Sequence, residues 1–302
     1  MSKKTKIWLI VAGCLVVAGL LLFTSVMMAN GWDFTKLSTS KYETNTYTLD
    51  DALSKINIYT DTADIVFLPS EDGKCTIVCY EMENAKHLVE LTSDALYIGI
   101  RDEREWYEYI GINFGSPKIT VSLPQSQYDA LFINSSTGDV NIPKDFQFKI
   151  LDVSVDTGDV TNFASVSENL KIKTDTGDIR IENVSANALN LTVSTGDIHL
   201  ANIQCENLLT KGSTGNISLK NVIAADKFSI ERSTGDVKFI GCDAGEIFVE
   251  TDTGDVTGSL LSEKVFITKT STGNIKVPQS TSGGKCQVTT STGNIMLELQ
   301  VG

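Results

Sequence analysis

Asp156-Thr157-Gly158-Asp159-Val160, Asp175-Thr176-Gly177-Asp178-Ile179 and Ser194-Thr195-Gly196-Asp197-Ile198 are three copies of one phrase, and its reading decides the fold. The phrase returns nine times, with glycines at Gly138, Gly158, Gly177, Gly196, Gly215, Gly235, Gly254, Gly273 and Gly293, so the interval is always 19 or 20 residues. A fixed interval of this length marks an architecture of stacked repeats. Seven residues before the glycines stand apolar side chains such as Leu131, Leu151, Leu170 and Leu189, and five before stand Ile133, Val153, Ile172 and Leu191. Two residues after them come Val140, Val160, Ile179 and Ile198. Period-two spacing on each side of the glycine predicts two strands, each with one buried face. Pairs such as Val184 with Ala186 and Ile203 with Cys205 predict a third, tightly bent segment.

The expected fold is therefore all-β: a parallel β-solenoid of about nine coils of 19–20 residues, a rod about 43 Å long. Glycine accepts positive φ, and Asp or Asn bonds its own backbone at a corner, which explains the phrase itself. Parity places its threonines, Thr137 to Thr292, either inward or at the corner. The competing reading makes each Gly-Asp pair a hairpin turn in an antiparallel meander, which has no need of a constant interval.

On the N-terminal side of the repeats, residues 1–6 form a basic flank with Lys3, Lys4 and Lys6, and residues 7–29 carry no charge. At about 1.5 Å per residue that run crosses the roughly 30 Å hydrocarbon layer as one helix. It reads as an uncleaved signal anchor in the cell membrane, single-pass, N-terminus cytoplasmic and the bulk of the chain extracytoplasmic. Val11-Ala12-Gly13-Cys14 also resembles a lipoprotein processing box, but the apolar run continues past it to Ala29. Residues 30–46 read as a polar stalk, residues 47–130 as a first coil with a β-rich cap, and residues 131–302 as the repeat domain. In the cap, Asp61-Thr62-Ala63-Asp64-Ile65 is a worn copy of the phrase, with strands expected at 75–81, 87–92, 96–101 and 119–123. No comparable cap follows Gly293, so that end is expected to be bare and able to stack end to end on another copy.

Six cysteines make no disulfide framework, and Cys75 and Cys79, four apart in one strand, sit too far apart to bond each other. A net charge of -13 argues against nucleic acid, which wants a basic face. The aspartates recur at the corner of nearly every coil, which is what architecture produces. His87 and His199 suggest no constellation, and no nucleophile motif or phosphate loop is found, so no catalytic residue is assigned. Asp156, Asp159, Asp175 and Asp178 would bring four carboxylates to neighbouring corners, either a solvated acidic edge or a Ca²⁺ site of hard oxygen ligands. Two surfaces read as partner contacts: Trp106, Tyr107 and Tyr109 in a charged and aromatic segment, and the outward Leu209, Phe248 and Ile267, interrupted by Ser229. For each, a structural role in plugging the cap or lying under a loop stands beside the contact reading.

The anchor, the stalk, Asp61-Thr62-Ala63-Asp64, the segment Tyr109-Ile110-Gly111-Ile112-Asn113-Phe114-Gly115-Ser116-Pro117-Lys118 and the Thr-Gly-Asp array together resemble the LiaG-like family of bacterial β-strand-repeat domains, over about residues 45–302. Its members carry the label of adhesins by inference, and no catalytic residues transfer. The resemblance implies a non-catalytic envelope protein of Gram-positive type. It would bind wall polymer or another envelope protein, or act as an accessory regulator or sensor of envelope stress.

Overall fold

The computed structural model describes residues 2–37, 40–50, 52–106 and 115–300. A 27-residue helix, α1 (Lys3–Ala29), contains an 18-residue stretch with a mean hydropathy of 2.6 and exposes most of its apolar side chains. Seven strands follow: β1 (Tyr42–Leu49), β2 (Lys55–Thr62), β3 (Asp64–Pro69), β4 (Cys75–Met82), β5 (Ala85–Thr92), β6 (Ala95–Asp102) and β7 (Lys118–Leu123). The repeats supply β8 (Gln127–Thr137), β9 (Val140–Ile142), β10 (Gln147–Thr157), β11 (Val160–Asn162), β12 (Ser165–Thr176), β13 (Ile179–Glu182), β14 (Ser185–Thr195) and β15 (Ile198–Thr214). They continue with β16 (Ile217–Thr234), β17 (Val237–Thr253), β18 (Val256–Leu260), β19 (Lys264–Thr272), β20 (Ile275–Lys276), β21 (Gly284–Thr292) and β22 (Ile295–Leu299).

From β8 onward the described pairings are parallel, so the chain is a β-solenoid and the meander is excluded. Leu131, Leu151, Leu170, Leu189, Leu208, Phe228 and Ile247 pair one above the next, each buried, and form a single apolar column. The nine corner glycines have φ between 124° and 155°, a region that side chains avoid. Stacking is also close: a Cβ on Gly177 would lie 2.1 Å from Gly158 O. The threonines of the phrase end their strands exposed at the corner and do not point inward. A second corner is built on Asn183, Asn202 and Asn221, at φ 57°, 54° and 53°, whose side-chain amides bond from coil to coil at 2.9 and 3.0 Å. The small pairs that follow it, such as Val184 with Ala186, are buried as expected.

The order of stacking departs from the order of the sequence at both ends. The worn phrase does form a coil, with Ala63 N donating to Thr137 O at 3.0 Å. Its outer neighbour is the later pair β6 and β7, which runs parallel to β2 and β3. β4 then lies antiparallel between β7 and β1, and β5 lies antiparallel on β6, capping this end. Since β1 begins at Tyr42, the cap takes up residues 42–46, which the sequence reading placed in the stalk. At the far end β21 and β22 insert between β17–β18 and β19–β20. The outermost coil is therefore that of Gly273, and Gly293 lies one coil inside it, so the end expected at the last coil is formed by β19 and β20 instead. There Thr268 takes an inward position where most interior coils carry an aliphatic side chain, and Lys264, 3% exposed, pairs with Asp243 at 2.7 Å. The described cysteines are all free, with Cys75 and Cys79 on one buried face.

Candidate functional site

Alternation in β4 turns Cys75, Ile77, Cys79 and Glu81 to one buried face, so the strand carries a carboxylate into the core of the cap. Alternation in β5 does the same for His87, and in β2 for Thr60. The three meet. His87 Nδ1 lies 2.7 Å from Glu81 Oε2, the His87 backbone N–H donates to the same oxygen at 2.6 Å, and Thr60 Oγ1 lies 2.9 Å from His87 Nε2. Asn45 of β1 donates to Glu81 Oε1 at 2.7 Å. Four strands are thus pinned by one buried polar network. Burial pushes the Glu81 carboxyl up, but the bonds from His87 and Asn45 outweigh it and hold it below its ordinary range. An ionised Glu81 takes the Nδ1 proton of His87 as a hydrogen bond and leaves Nε2 to accept from the Thr60 hydroxyl.

Cys79 completes the group: ligand atoms of Cys79, Glu81 and His87 all lie within 4.8 Å of one another, and all three residues are buried. Burial, and then the Glu81 charge, push the Cys79 thiol up to about 12. A void of about 20 Å³ borders Glu81 and His87, and a cleft of about 400 Å³ reaches His87 from the side of Tyr47, Glu83 and Lys86. Thr, His and Glu in this order can relay a proton, but Thr60 is 6% exposed and the void has room for one water. The sequence reading missed this network. Its one visible signal was Glu81 at the parity of Cys75, Ile77 and Cys79.

The acidic corner has a different job. Asp159 N donates to Asp139 Oδ1 at 2.9 Å, Asp178 N to Asp159 Oδ1 at 2.8 Å, and Asp197 N to Asp178 Oδ1 at 2.7 Å. The ladder continues through Asn216, Asp236, Asp255, Asn294 and Asn274. Each side chain only has to present one acceptor, so Asn serves as well as Asp. Asp175 pairs with Lys173 at 3.1 Å, and Asp156 stays exposed. Among the described residues, Asp156, Asp159, Asp175 and Asp178 do not gather three ligand atoms at metal spacing.

Of the expected contact residues, Trp106 is 74% exposed, while Tyr107 and Tyr109 lie outside the described residues. Leu209 and Phe248 are half-buried, and Ile267 is exposed. The register runs Leu209, Ser229, Phe248, Gln287, Ile267, so the inserted coil interrupts the stripe a second time. Lys227 and Lys285 set their ammonium groups 4.2 and 4.9 Å from the centre of the Phe248 ring and cover it.

The outer face of the cap carries an aromatic surface absent from the sequence reading. Tyr59 of β2 and Tyr97 of β6 are 45% and 40% exposed, with ring centres 5.6 Å apart. The Tyr97 ring packs over Gly99: a Cβ there would lie 2.6 Å from its Cε1, so a larger residue would push the ring aside. Leu88, paired with Gly99 on β5, extends the apolar patch. Asn57 pairs with Tyr97 and Asn134 with Tyr59, so amide side chains border the rings on the outward face.

A family profile described as Toastrack DUF4097 matches residues 53–298. No curated protein matches the chain. Among solved structures it is similar to a candidate adhesin from Bacteroides fragilis, at 18% identity over 85% of this chain and 97% of that one, with a TM-score of 0.38. It is also similar to a candidate lipid-binding protein from Parabacteroides distasonis, at 14% identity over 86% and 98%, with a TM-score of 0.47. A candidate adhesin from the same species covers 84% and 98% at 15% identity, with a TM-score of 0.36.

Proposed function

We propose, from the premise that this chain belongs to the toastrack DUF4097 family, that it is a membrane-anchored extracytoplasmic protein that binds and spaces. In this reading it performs no catalysis, and its ligand is polymer of the cell wall. α1 is long and apolar enough to cross a bilayer, and the lysines in its first turn favour the cytoplasmic side for the N-terminus. The cap follows α1 after residues 30–41, and the solenoid extends from the cap as a stiff spacer, because each coil is bonded to the next along both faces and at the corner ladder.

The observation that carries the ligand assignment is the pair Tyr59 and Tyr97 on an open sheet face, with amide groups beside them. The flat, apolar faces of sugar rings stack on such aromatic rings, and neighbouring amides bond the hydroxyls at the sugar edge. Binding on an extended face suits a polymer better than a small molecule, which calls for a concave pocket. The test is co-sedimentation of the full chain in detergent with purified wall sacculi. Retention that drops at least tenfold in the Tyr59→Ala/Tyr97→Ala double variant, with an unchanged melting temperature, supports the proposal. Retention that ignores the double variant removes this face as the ligand surface. A wild-type chain that never sediments, but co-purifies with a membrane sensor or transporter, favours the regulatory reading.

A further inference from the structure

We propose that Cys79, Glu81 and His87 form a binding site for a zinc-class divalent cation, with a water in the adjoining void as fourth ligand. The donor set is one thiol, one imidazole and one carboxylate, a combination that suits Zn²⁺ and neither Ca²⁺ nor Mg²⁺, which want oxygen alone. Thiolate and carboxylate together neutralise the cation, so the loaded site has no net charge to bury. The Glu81 to His87 distance of 2.7 Å must open by about 0.6 Å to reach the ligand separation of a tetrahedral zinc site. A ladder of strands tolerates that by side-chain movement alone.

The surroundings are those of a metal site. A ligating histidine normally donates its other ring N–H to a fixed acceptor, and Thr60 Oγ1 stands 2.9 Å from His87 Nε2. Asn45 holds Glu81 Oε1, and Oε2, fixed by the His87 backbone N–H, faces the imidazole and would turn its remaining lone pair to the cation. Coordination through Nδ1 moves the imidazole proton to Nε2, where Thr60 accepts it, and sends the Cys79 thiol proton to solvent. One proton leaves for each cation bound. A purely hydrogen-bonded network accounts for Thr60, His87, Glu81 and Asn45, but it gives no role to Cys79 or to the void. Among the described residues the Cys205 and Cys242 thiols donate to the carbonyls of Ile223 and Leu219, whereas the buried Cys75, Cys79 and Cys286 make no such bond, and of these three only Cys79 lies beside a histidine and a carboxylate.

The test is titration of the chelator-stripped full chain in detergent with Co²⁺, followed by Zn²⁺. The expected result is a thiolate-to-cobalt charge-transfer band saturating at one equivalent, bleached by Zn²⁺, with a melting temperature raised by several degrees in Zn²⁺. Cys79→Ser loses the band, Cys75→Ser on the same buried face keeps it, and Thr60→Val weakens binding by about 10- to 100-fold. A folded wild-type chain that shows no thiolate band overturns the site, whatever the variants do. So does a band that survives Cys79→Ser or disappears equally in Cys75→Ser. One equivalent of Zn²⁺ bound without the band is adventitious binding and counts against it.

Discussion

Replacing Gly177 by alanine tests the stacked corner directly, because a matched control exists in the same chain. Gly177 has φ 138°, where a non-glycine residue costs about 1–3 kcal/mol. The added Cβ would also lie 2.1 Å from Gly158 O and 2.6 Å from Gly158 C, both backbone atoms, so the two coils must separate by about 1 Å to restore ordinary contact. Three hydrogen bonds cross that corner: Gly158 N to Thr176 O at 2.9 Å, Val160 N to Asp178 O at 2.9 Å and Asp178 N to Asp159 Oδ1 at 2.8 Å. At about 0.5–1.5 kcal/mol each, their weakening brings the total to roughly 3–7 kcal/mol. That is a large part of the roughly 5–15 kcal/mol by which a domain is stable. Gly73 has φ 76° but nothing within 4 Å of an added Cβ, so Gly73→Ala carries only the backbone cost of about 1–2 kcal/mol. Urea unfolding of the two full-length variants, followed by far-ultraviolet circular dichroism, separates the contributions. If Gly177→Ala lies within about 1 kcal/mol of Gly73→Ala, close coil stacking is not what requires glycine.

Three further outcomes are expected. Asp178→Asn keeps an acceptor for Asp197 N–H and relieves repulsions of about 1 kcal/mol each from Asp159 and Asp197, so it melts no lower than wild type. Asp178→Leu removes the acceptor and costs about 1 kcal/mol, and the reverse ranking in thermal melts would refute the ladder. The Glu81 carboxyl is depressed on folding, so it contributes stability above its ordinary value of 4.5 that is lost as pH falls through its folded value. Glu81→Gln should therefore flatten the acid side of a stability profile below about pH 4.5, and an unchanged slope in melts from pH 3 to 6 would show that the network does not hold that proton off. Burial raises the thiols of Cys75 and Cys205 to about 11 and of Cys79 and Cys286 to about 12, so iodoacetamide at pH 8 should leave all four unmodified until denaturant is added. Mass spectrometry that finds any of the four alkylated in the native chain contradicts their burial.

What could be read from the amino-acid order was everything that repeats. The interval of 19 or 20 residues assigned Leu151, Leu170 and Leu189 to one column, the glycines to one corner, and Ala63 to a worn first coil, because a period links each residue to a face without knowledge of its neighbours. The uncharged run of α1 was equally legible, since length and polarity are local properties. Neighbours were decided by tertiary structure alone. Ser271-Thr272-Gly273-Asn274 and Ser291-Thr292-Gly293-Asn294 carry the same phrase, so no local signal says that the second coil slips inside the first. The aspartates looked like an acidic edge in the sequence, and became a ladder once each carboxylate met the amide of the next coil. Tyr59 and Tyr97 come together only because β6 slides beneath β2. Thr60, Glu81 and His87 come together only because the cap strands fold back over that same coil. Alternation tells which way a side chain points, but which chain segment it then faces is set by hydrogen-bonded register between strands distant in sequence.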